Sequence, residues 1–272
     1  MEAALQRRVQ RYGWDKAATR YDDGWSRQLR PAQDAMLALA AIQPGERVID
    51  IACGTGLVTF RAAMAAGPSG HVTGTDLSAG MLDLAASACA GQGLAPVEFR
   101  RMGAESLDLP DASFDVALNA LGLMYVPDAG AALSEMRRVL VPGGRAALAV
   151  WGSRARCGWA DIFPIVDARV KSDVCPLFFA LGTGDRLADA LADAGFASVD
   201  LHRMSVVLDY EDEDAALAAA FAGGPVAMAY SRFDDETRAE AHAEYLASIA
   251  PFRVGEGYRI PGEFVIASGV RG

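Results

Sequence analysis

An apolar run that breaks into alternating small residues constrains the fold of this chain more than any other feature. Residues 48–57 read VIDIACGTGL, so a strand carrying Asp50 leads into a turn that is poor in side chains. Gly54 and Gly56 allow a sharp turn and the close approach of a ligand, because glycine tolerates positive φ and has no Cβ. A second apolar segment, residues 71–76, ends in a carboxylate. The pattern predicts strand, turn, helix and strand, an arrangement that holds a nucleoside cofactor.

The spacing of the glycines indicates which nucleoside. A dinucleotide-binding turn reads G-x-G-x-x-G, and the helix that follows it faces a pyrophosphate. Here the small residues fall at 52, 54 and 56, and the third glycine is absent. Asp50 would repel a pyrophosphate but could pair with the cationic head group of an amino acid, directly or through water. Asp76 can accept hydrogen bonds from both ribose hydroxyls. The turn therefore favours an S-adenosyl amino acid over a dinucleotide.

Three later motifs appear in a family-like order. They are TDLS at 75–78, GAESLDLPDASFD at 103–115 and RVLVPGG at 138–144. With the DIACGTG motif at 50–56, they make the chain resemble a class I S-adenosylmethionine-dependent methyltransferase, of the type that includes the ubiquinone and menaquinone C-methyltransferases. The resemblance covers about residues 10–152.

The remaining sequence alternates strand-like and helix-like patterns, which is typical of a parallel sheet covered on both faces. We predict strands at 47–52, 71–76, 97–102, 114–120, 145–151, 197–209 and 258–270. Predicted helices lie at 32–42, 56–66, 79–90, 127–140, 184–194, from 211 to about 221, and at 234–249. The expected fold is α/β, with a Rossmann-like, seven-stranded, mostly parallel sheet, helices on both faces and helical lid insertions.

The chain is expected to form a single compact domain with three parts. Residues 1–43 would be an N-terminal helical cap, 44–152 the S-adenosylmethionine-binding core, and 153–272 the rest of the sheet with the lid insertions. Residues 154–181 in particular are expected to form a helical insertion.

The resemblance also implies which residues form the site. Those expected to bind the cofactor are Tyr21, Asp50, Ala52, Cys53, Gly54, Gly56, Asp76, Leu77, Met81, Ala104, Glu105 and Asn119. Relatives have an aromatic-rich stretch, like residues 12–25 here, that closes over the cofactor. The expected substrate-binding residues are Trp14, Met124, Tyr125 and Trp151, although simple core packing remains an alternative for each.

Two positions depart from the family pattern. Ala52 stands where the family usually has glycine, which is a mild change if its φ is negative. Gly103 stands where many relatives have an aspartate facing the adenine amino group, so Glu105 or the backbone at Ala104 would take over that recognition. Asp50 could alternatively be a structural carboxylate that bonds its own turn.

Composition limits the partners. The net charge is −10, which disfavours binding to nucleic acid because phosphate backbones would be repelled. The four cysteines show no C-x-x-C spacing, so no metal site is predicted, and a cytoplasmic location is expected. No run of 18 apolar residues is present, so we expect no membrane span. The oligomeric state stays open between monomer and homodimer.

The sequence thus predicts methyl transfer from S-adenosyl-L-methionine to carbon, oxygen or nitrogen of a small, partly apolar acceptor. Transfer would be an in-line displacement, in which the protein holds the two reacting atoms about 3 to 3.5 Å apart and excludes water. The sequence identifies no catalytic residue. Two alternatives are a non-catalytic scaffold or sensing module that retains the cofactor pocket, and a dehydrogenase with an atypical turn, which the glycine spacing disfavours.

Overall fold

A central sheet organises the protein, whose computed structural model describes residues 3–89, 96–170 and 177–272. Its strand order is β3-β2-β1-β4-β5-β8-β6, and the short β7 pairs with β8. The first five strands are parallel, and β8 runs antiparallel to β5, β6 and β7. The strands are β1 Arg47–Ile51, β2 His71–Asp76, β3 Val97–Arg101, β4 Phe114–Ala120, β5 Leu140–Trp151, β6 Phe196–Tyr210, β7 Arg253–Val254 and β8 Gly257–Arg271.

Helices pack on both faces of the sheet and around one of its edges. They are α1 Ala3–Ala40, α2 Thr59–Ala66, α3 Ala79–Cys89, α4 Ala129–Val139, α5 Ile162–Asp167, α6 Arg186–Asp193, α7 Glu213–Leu217, α8 Ala227–Tyr230 and α9 Asp235–Ile249. None of the helices in the described ranges is long and apolar enough to cross a membrane.

The predicted α/β fold is confirmed, with two adjustments to the sheet. The seven predicted strands form its main path, and β7 adds a two-residue eighth strand. The strand predicted at 145–151 begins at Leu140, because Phe114 pairs with Leu140 while Val116 pairs with Arg145. The Pro-Gly-Gly turn therefore lies inside β5 as an irregularity.

The N-terminal helix is much longer than predicted. The sequence predicts a helical cap over residues 1–43 but places a defined helix only at 32–42, whereas α1 is one continuous helix of 38 residues that contains Pro31. Gly24 lies in its interior, where a Cβ would stand 3.2 Å from the Ala219 Cα. A glycine and a proline disfavour a helix locally. Here tertiary packing of the buried face of α1 outweighs that preference.

Hydrogen bonds join α1 to β6, the edge strand of the sheet. The buried Gln28 amide donates to the Asp209 carbonyl oxygen at 2.7 Å and accepts from the Asp209 N–H at 3.2 Å. One side-chain amide thus satisfies both backbone groups of a β6 residue, as a neighbouring strand would. This contact fixes α1 across the carboxyl ends of the parallel strands.

Two insertions extend the core. The first lies between β5 and α6, and its described part contains a short 3-10 helix at Arg154–Arg156 and one short α-helix, α5, together with turns. The expectation of a helical insertion over 154–181 is therefore met only in part, and residues 171–176 lie outside the described ranges. The second insertion, between β6 and β8, contains α7, α8 and α9, of which α8 was not predicted.

Candidate functional site

A cleft that is open to solvent lies at the carboxyl ends of the parallel strands. Its wall includes Ala52 after β1, Asp76 at the end of β2, Ala120 at the end of β4 and Trp151 at the end of β5. The strand order reverses between β1 and β4, and such a reversal opens a crevice that binds ligands in open α/β sheets. α1 lies along the cleft and contributes several of its lining residues.

The turn after β1 requires both of its glycines, for different reasons. Gly54 has φ +56°, and a Cβ there would meet nothing within 4 Å, so open space lies in front of it. Gly54 lines the cleft. Gly56 has φ +89°, and a Cβ there would lie 2.7 Å from the Phe60 ring. Gly56 therefore allows the turn to pack against Phe60, and it does not line the cleft.

The Asp76 carboxylate is held by backbone amides. Its Oδ2 accepts from the Gly54 N–H at 2.9 Å, and its Oδ1 accepts from the Ser78 N–H at 2.8 Å. Burial raises the pKa of this carboxyl, and the amide hydrogen bonds oppose that effect. Leu77 and Met81 line the cleft beside it. A carboxylate fixed at a strand end suits the paired hydroxyls of a ribose.

Asp50 is fully buried and has one oxygen without a partner. Its Oδ2 accepts from the Thr59 hydroxyl at 2.6 Å, and its Oδ1 has no hydrogen bond. Burial raises the pKa of Asp50 to about 7, and the charge of Asp76 adds to the shift. Asp50 lines a smaller cavity, which shares part of its wall with the main cleft. An unpaired buried oxygen fits the ammonium group of an S-adenosyl amino acid.

Ala52 has φ +59°, which overturns the expectation of a mild replacement for glycine. An L residue pays a steric penalty of about 1–2 kcal/mol in this left-handed region. The Ala52 Cβ also constrains its neighbour, because a Cβ on Gly122 would lie only 2.5 Å from it. Leu121, next to Gly122, has φ +62°. The loops after β1 and β4 are thus both strained where they meet at the cleft.

Asn119 was expected to contact the cofactor, but the structure places it behind the cleft wall. Its Nδ2 donates to the Ile51 carbonyl at 2.9 Å, and its Oδ1 accepts from the Leu123 N–H at 2.8 Å. Asn119 therefore joins the end of β1 to the turn after β4. Cys53 is also outside the main cleft; it lines the smaller cavity, and burial raises its thiol pKa well above the usual range.

The far end of the cleft carries the predicted adenine-binding residues. Ala104 and Glu105 both line it, next to Gly103. Both Glu105 oxygens already have partners, since Oε2 accepts from Arg7 at 2.9 Å and Oε1 accepts from the Asp128 N–H at 3.0 Å. An adenine amino group would share this carboxylate with Arg7, or would bind the backbone instead.

Two carboxylates on α1, which the sequence analysis did not single out, bind the cofactor turns. Asp22 accepts a 2.6 Å hydrogen bond from the Thr55 hydroxyl, and Thr55 lies in the turn after β1. Asp15 accepts from the Ser78 hydroxyl at 2.6 Å and from the Gly80 N–H at 3.1 Å. Asp15 and Asp22 are seven residues apart, so they lie on one side of the helix. Two carboxylates at this spacing within residues 12–25 are the feature of the sequence that could have indicated the contacts.

All four predicted substrate residues reach the cleft, together with others that the sequence did not assign to it. The Trp14 ring lies 5.0 Å from Tyr125 and 5.7 Å from Tyr21, and the Trp151 ring lies 4.8 Å from Trp159. Met124 lines the same wall. The additional lining residues include Trp25, Leu29, Met102, Leu121, Trp159, Phe178, Gly224 and Pro225. We call Trp14, Trp25, Tyr125, Trp151, Trp159 and Phe178 the aromatic wall.

Comparison with known proteins identifies the family. The methyltransferase domain family matches residues 48–144. The demethylmenaquinone methyltransferase of Listeria welshimeri is 34% identical over 178 residues, which span 60% of this chain and 75% of that protein. The chain belongs to the class I S-adenosylmethionine-dependent methyltransferases. It is of the type that includes the ubiquinone and menaquinone C-methyltransferases, as the sequence motifs predicted.

Solved structures share the fold of this methyltransferase. A Bacillus halodurans protein described as a methyltransferase superposes with a TM-score of 0.61 at 19% identity, covering 89% of this chain and 99% of its own. Phosphoethanolamine N-methyltransferase 2 of Haemonchus contortus, solved with S-adenosylhomocysteine, gives 0.60 at 16% identity and covers 94% of this chain and 57% of its own. At these identities the likeness concerns the fold alone.

The cofactor of this methyltransferase is S-adenosyl-L-methionine. When bound, it supplies a methyl group on a positively charged sulfur. The unpaired oxygen of Asp50 fits its amino group, and Asp76 fits its ribose. Gly54 leaves the backbone open between them. The residues therefore suit the cofactor, and each remains a proposed contact.

Proposed function

We propose that this methyltransferase transfers the methyl group in line to carbon, oxygen or nitrogen of a small, partly apolar, planar acceptor. The aromatic wall is the observation that carries the proposal. It adjoins the part of the cleft that holds Asp76 and Gly54, and Tyr21 contacts Trp14 between the two. An acceptor ring packed on these side chains would lie beside the cofactor.

The character of the wall favours an uncharged ring. Trp25, Trp151 and Trp159 are 7%, 3% and 4% exposed, so their rings offer dense apolar contact. Aromatic pairs prefer offset or edge-to-face contacts, which a planar acceptor can also form. Members of the wall come from α1, the turn after β4, β5 and the first insertion, and Pro225 of the second insertion lies with them. We propose that these elements together form the substrate pocket.

The ionisable groups at the cleft favour an acceptor that is nucleophilic without the help of a base from the protein. No histidine lines the cleft within the described ranges. Burial raises the Tyr21 pKa far above its usual value, with Asp22 and Asp76 adding to the shift, so Tyr21 stays protonated and can donate but not abstract a proton. Glu105 is paired with Arg7. Ring carbons activated by a hydroxyl group, as in quinols, need no strong base before transfer.

Among such acceptors, a quinol ring is favoured by the relatives. The Listeria welshimeri protein, which is similar over most of its length, bears the name demethylmenaquinone methyltransferase. That name describes the relative. For this chain it supports carbon methylation of a quinol within the broader proposal.

A panel of acceptors tests the proposal. Purified protein with S-adenosylmethionine would be offered quinols, phenols and aliphatic amines, and release of S-adenosylhomocysteine would be measured. We expect turnover with the quinols or phenols, and the rate should rise as the acceptor's own hydroxyl ionises. Turnover with aliphatic amines alone would contradict the proposed pocket. Cofactor binding without turnover on any acceptor would favour the alternative, a non-catalytic scaffold or sensing module.

A further inference from the structure

A stripe of basic and apolar side chains runs along the outside of the first half of α1. Leu5, Arg8, Tyr12, Lys16 and Arg20 follow one another at intervals of three or four residues, so they share one side of the helix. All five are exposed, and the two apolar members are exposed by 40% and 48%. We call these five residues the outer stripe.

The charge of this segment differs from that of the whole protein. Residues 3–20 contain five basic side chains and one acidic side chain, in a chain whose net charge is −10. The single acid, Asp15, is turned inward and bonds Ser78 and Gly80. Within the described ranges, the three cations of the outer stripe form no ion pair with a carboxylate. The acidic excess therefore lies elsewhere on the molecule.

The outer stripe lies on the side of α1 that faces away from the cleft. Arg7, Gln10 and Trp14 belong to the same turns of α1 and line the cleft. The Arg7 side chain is 43% exposed, which places it at the solvent end. A surface that contacted the outer stripe would therefore not cover the cleft.

We propose that the outer stripe docks the protein on a membrane surface that contains anionic lipids. Arg8, Lys16 and Arg20 complement the negative lipid headgroups, and the attraction acts within about 8–10 Å at physiological salt. Tyr12 lies between Arg8 and Lys16, and Leu5 lies one turn before Arg8, so both can enter the boundary between headgroups and acyl chains beside the cations. Exposed apolar side chains among the cations favour lipid over a nucleic acid, whose contacts are chiefly with phosphate. The inference goes beyond the proposed function and does not require it.

Vesicle sedimentation tests this docking without any acceptor. The full chain would be mixed with sucrose-loaded vesicles of phosphatidylcholine, with or without phosphatidylglycerol, and the pelleted fraction measured. We expect binding only to the anionic vesicles, and release when the salt concentration is raised. Each cation near the surface contributes about fivefold to partitioning, so R8E/K16E/R20E should weaken it by more than ~100-fold.

A matched variant controls for net charge. R186E/R232E/R259E reverses three exposed cations that lie outside α1 and have no ion-pair partner within the described ranges. It should bind anionic vesicles as the wild type does, and both variants should bind S-adenosylhomocysteine normally, which verifies folding. Leu5→Ser with Tyr12→Ser should weaken binding to the anionic vesicles at low salt and leave its salt dependence unchanged. The proposal is overturned if wild-type protein stays in the supernatant with both vesicles, or if the two charge variants lose binding equally.

Discussion

The Asp22 carboxylate on α1 accepts a 2.6 Å hydrogen bond from the hydroxyl of Thr55, which lies in the cofactor turn between Gly54 and Gly56. The same turn is held from the other side, where the Gly54 N–H donates to Asp76. The turn is therefore fixed between the N-terminal helix and the second strand. The position of α1 and the shape of the cofactor turn therefore depend on each other through this side-chain contact.

Replacing Asp22 should loosen both α1 and the turn. A hydrogen bond to a charged group contributes about 1.5–3 kcal/mol, so Asp22→Ala should weaken S-adenosylhomocysteine binding by roughly 10-fold or more. Amide hydrogen exchange in α1 should also become faster. Titration calorimetry and exchange measurements check these two results.

The adjacent residue provides the control for Asp22. Asp23 carries the same charge but is exposed and has no hydrogen bond or ion pair within the described ranges. Asp23→Ala should therefore leave both affinity and exchange unchanged. Equal losses in the two variants would indicate a general charge effect and not the contact with Thr55.

The sequence predicted the cofactor end of the site better than the rest. Gly54 and Asp76 belong to one strand-turn-helix-strand unit, so their proximity follows from the local sequence pattern. In the aromatic wall Tyr125 contacts both Trp14 and Phe178, which lie far apart along the chain, and no local periodicity of the sequence predicts such contacts. The positive φ of Ala52 could not be predicted either, because the residue packed against it, Gly122, belongs to the loop after β4. The full length of α1 depends on packing that outweighs Gly24 and Pro31.

Removing the Asp76 carboxylate should weaken the cofactor complex. Asp76→Ala is expected to cost about 1.5–3 kcal/mol of binding free energy, because hydrogen bonds to a charged group are lost. Calorimetry with S-adenosylhomocysteine measures the change. Asp83→Ala, which removes an exposed carboxylate on α3, is the control and should bind normally. An unchanged affinity for the Asp76 variant would show that Asp76 does not bind the cofactor.

Asp50 should make the stability of the ligand-free protein depend on pH. Its pKa is about 7 in the folded state and about 3.9 when unfolded. Because the folded pKa is the higher one, the contribution to stability is fully present below pH 4 and is lost as the pH rises through 7. Relative to Asp50→Asn, wild type should lose about 2–3 kcal/mol of unfolding free energy between pH 5 and pH 8. Urea unfolding at both pH values measures it, and parallel pH profiles would contradict it.

Cofactor binding should show the complementary pH dependence. An ammonium group pairs with ionised Asp50, so S-adenosylhomocysteine affinity should fall as the pH drops below about 7, by up to about tenfold per pH unit. Methylthioadenosine lacks the amino acid, and its affinity should not follow this dependence. Asp50→Asn should bind S-adenosylhomocysteine more weakly, with a flatter pH profile. Identical profiles for the two ligands would place the ammonium group away from Asp50.

The contact between Ala52 and Gly122 predicts a coupled pair of mutations. Gly122→Ala places a Cβ 2.5 Å from the Ala52 Cβ and should destabilise the protein by about 1–3 kcal/mol. Ala52→Gly alone should be neutral or stabilising by up to about 1 kcal/mol, because glycine relieves the left-handed strain but makes the unfolded chain more flexible. The double variant should recover part of the loss, though not all of it, since the new Cβ would still lie 3.2 Å from the Asn119 Nδ2. Urea unfolding of all four proteins gives the coupling energy. Additive effects would mean that the two loops move apart to accommodate the methyl group.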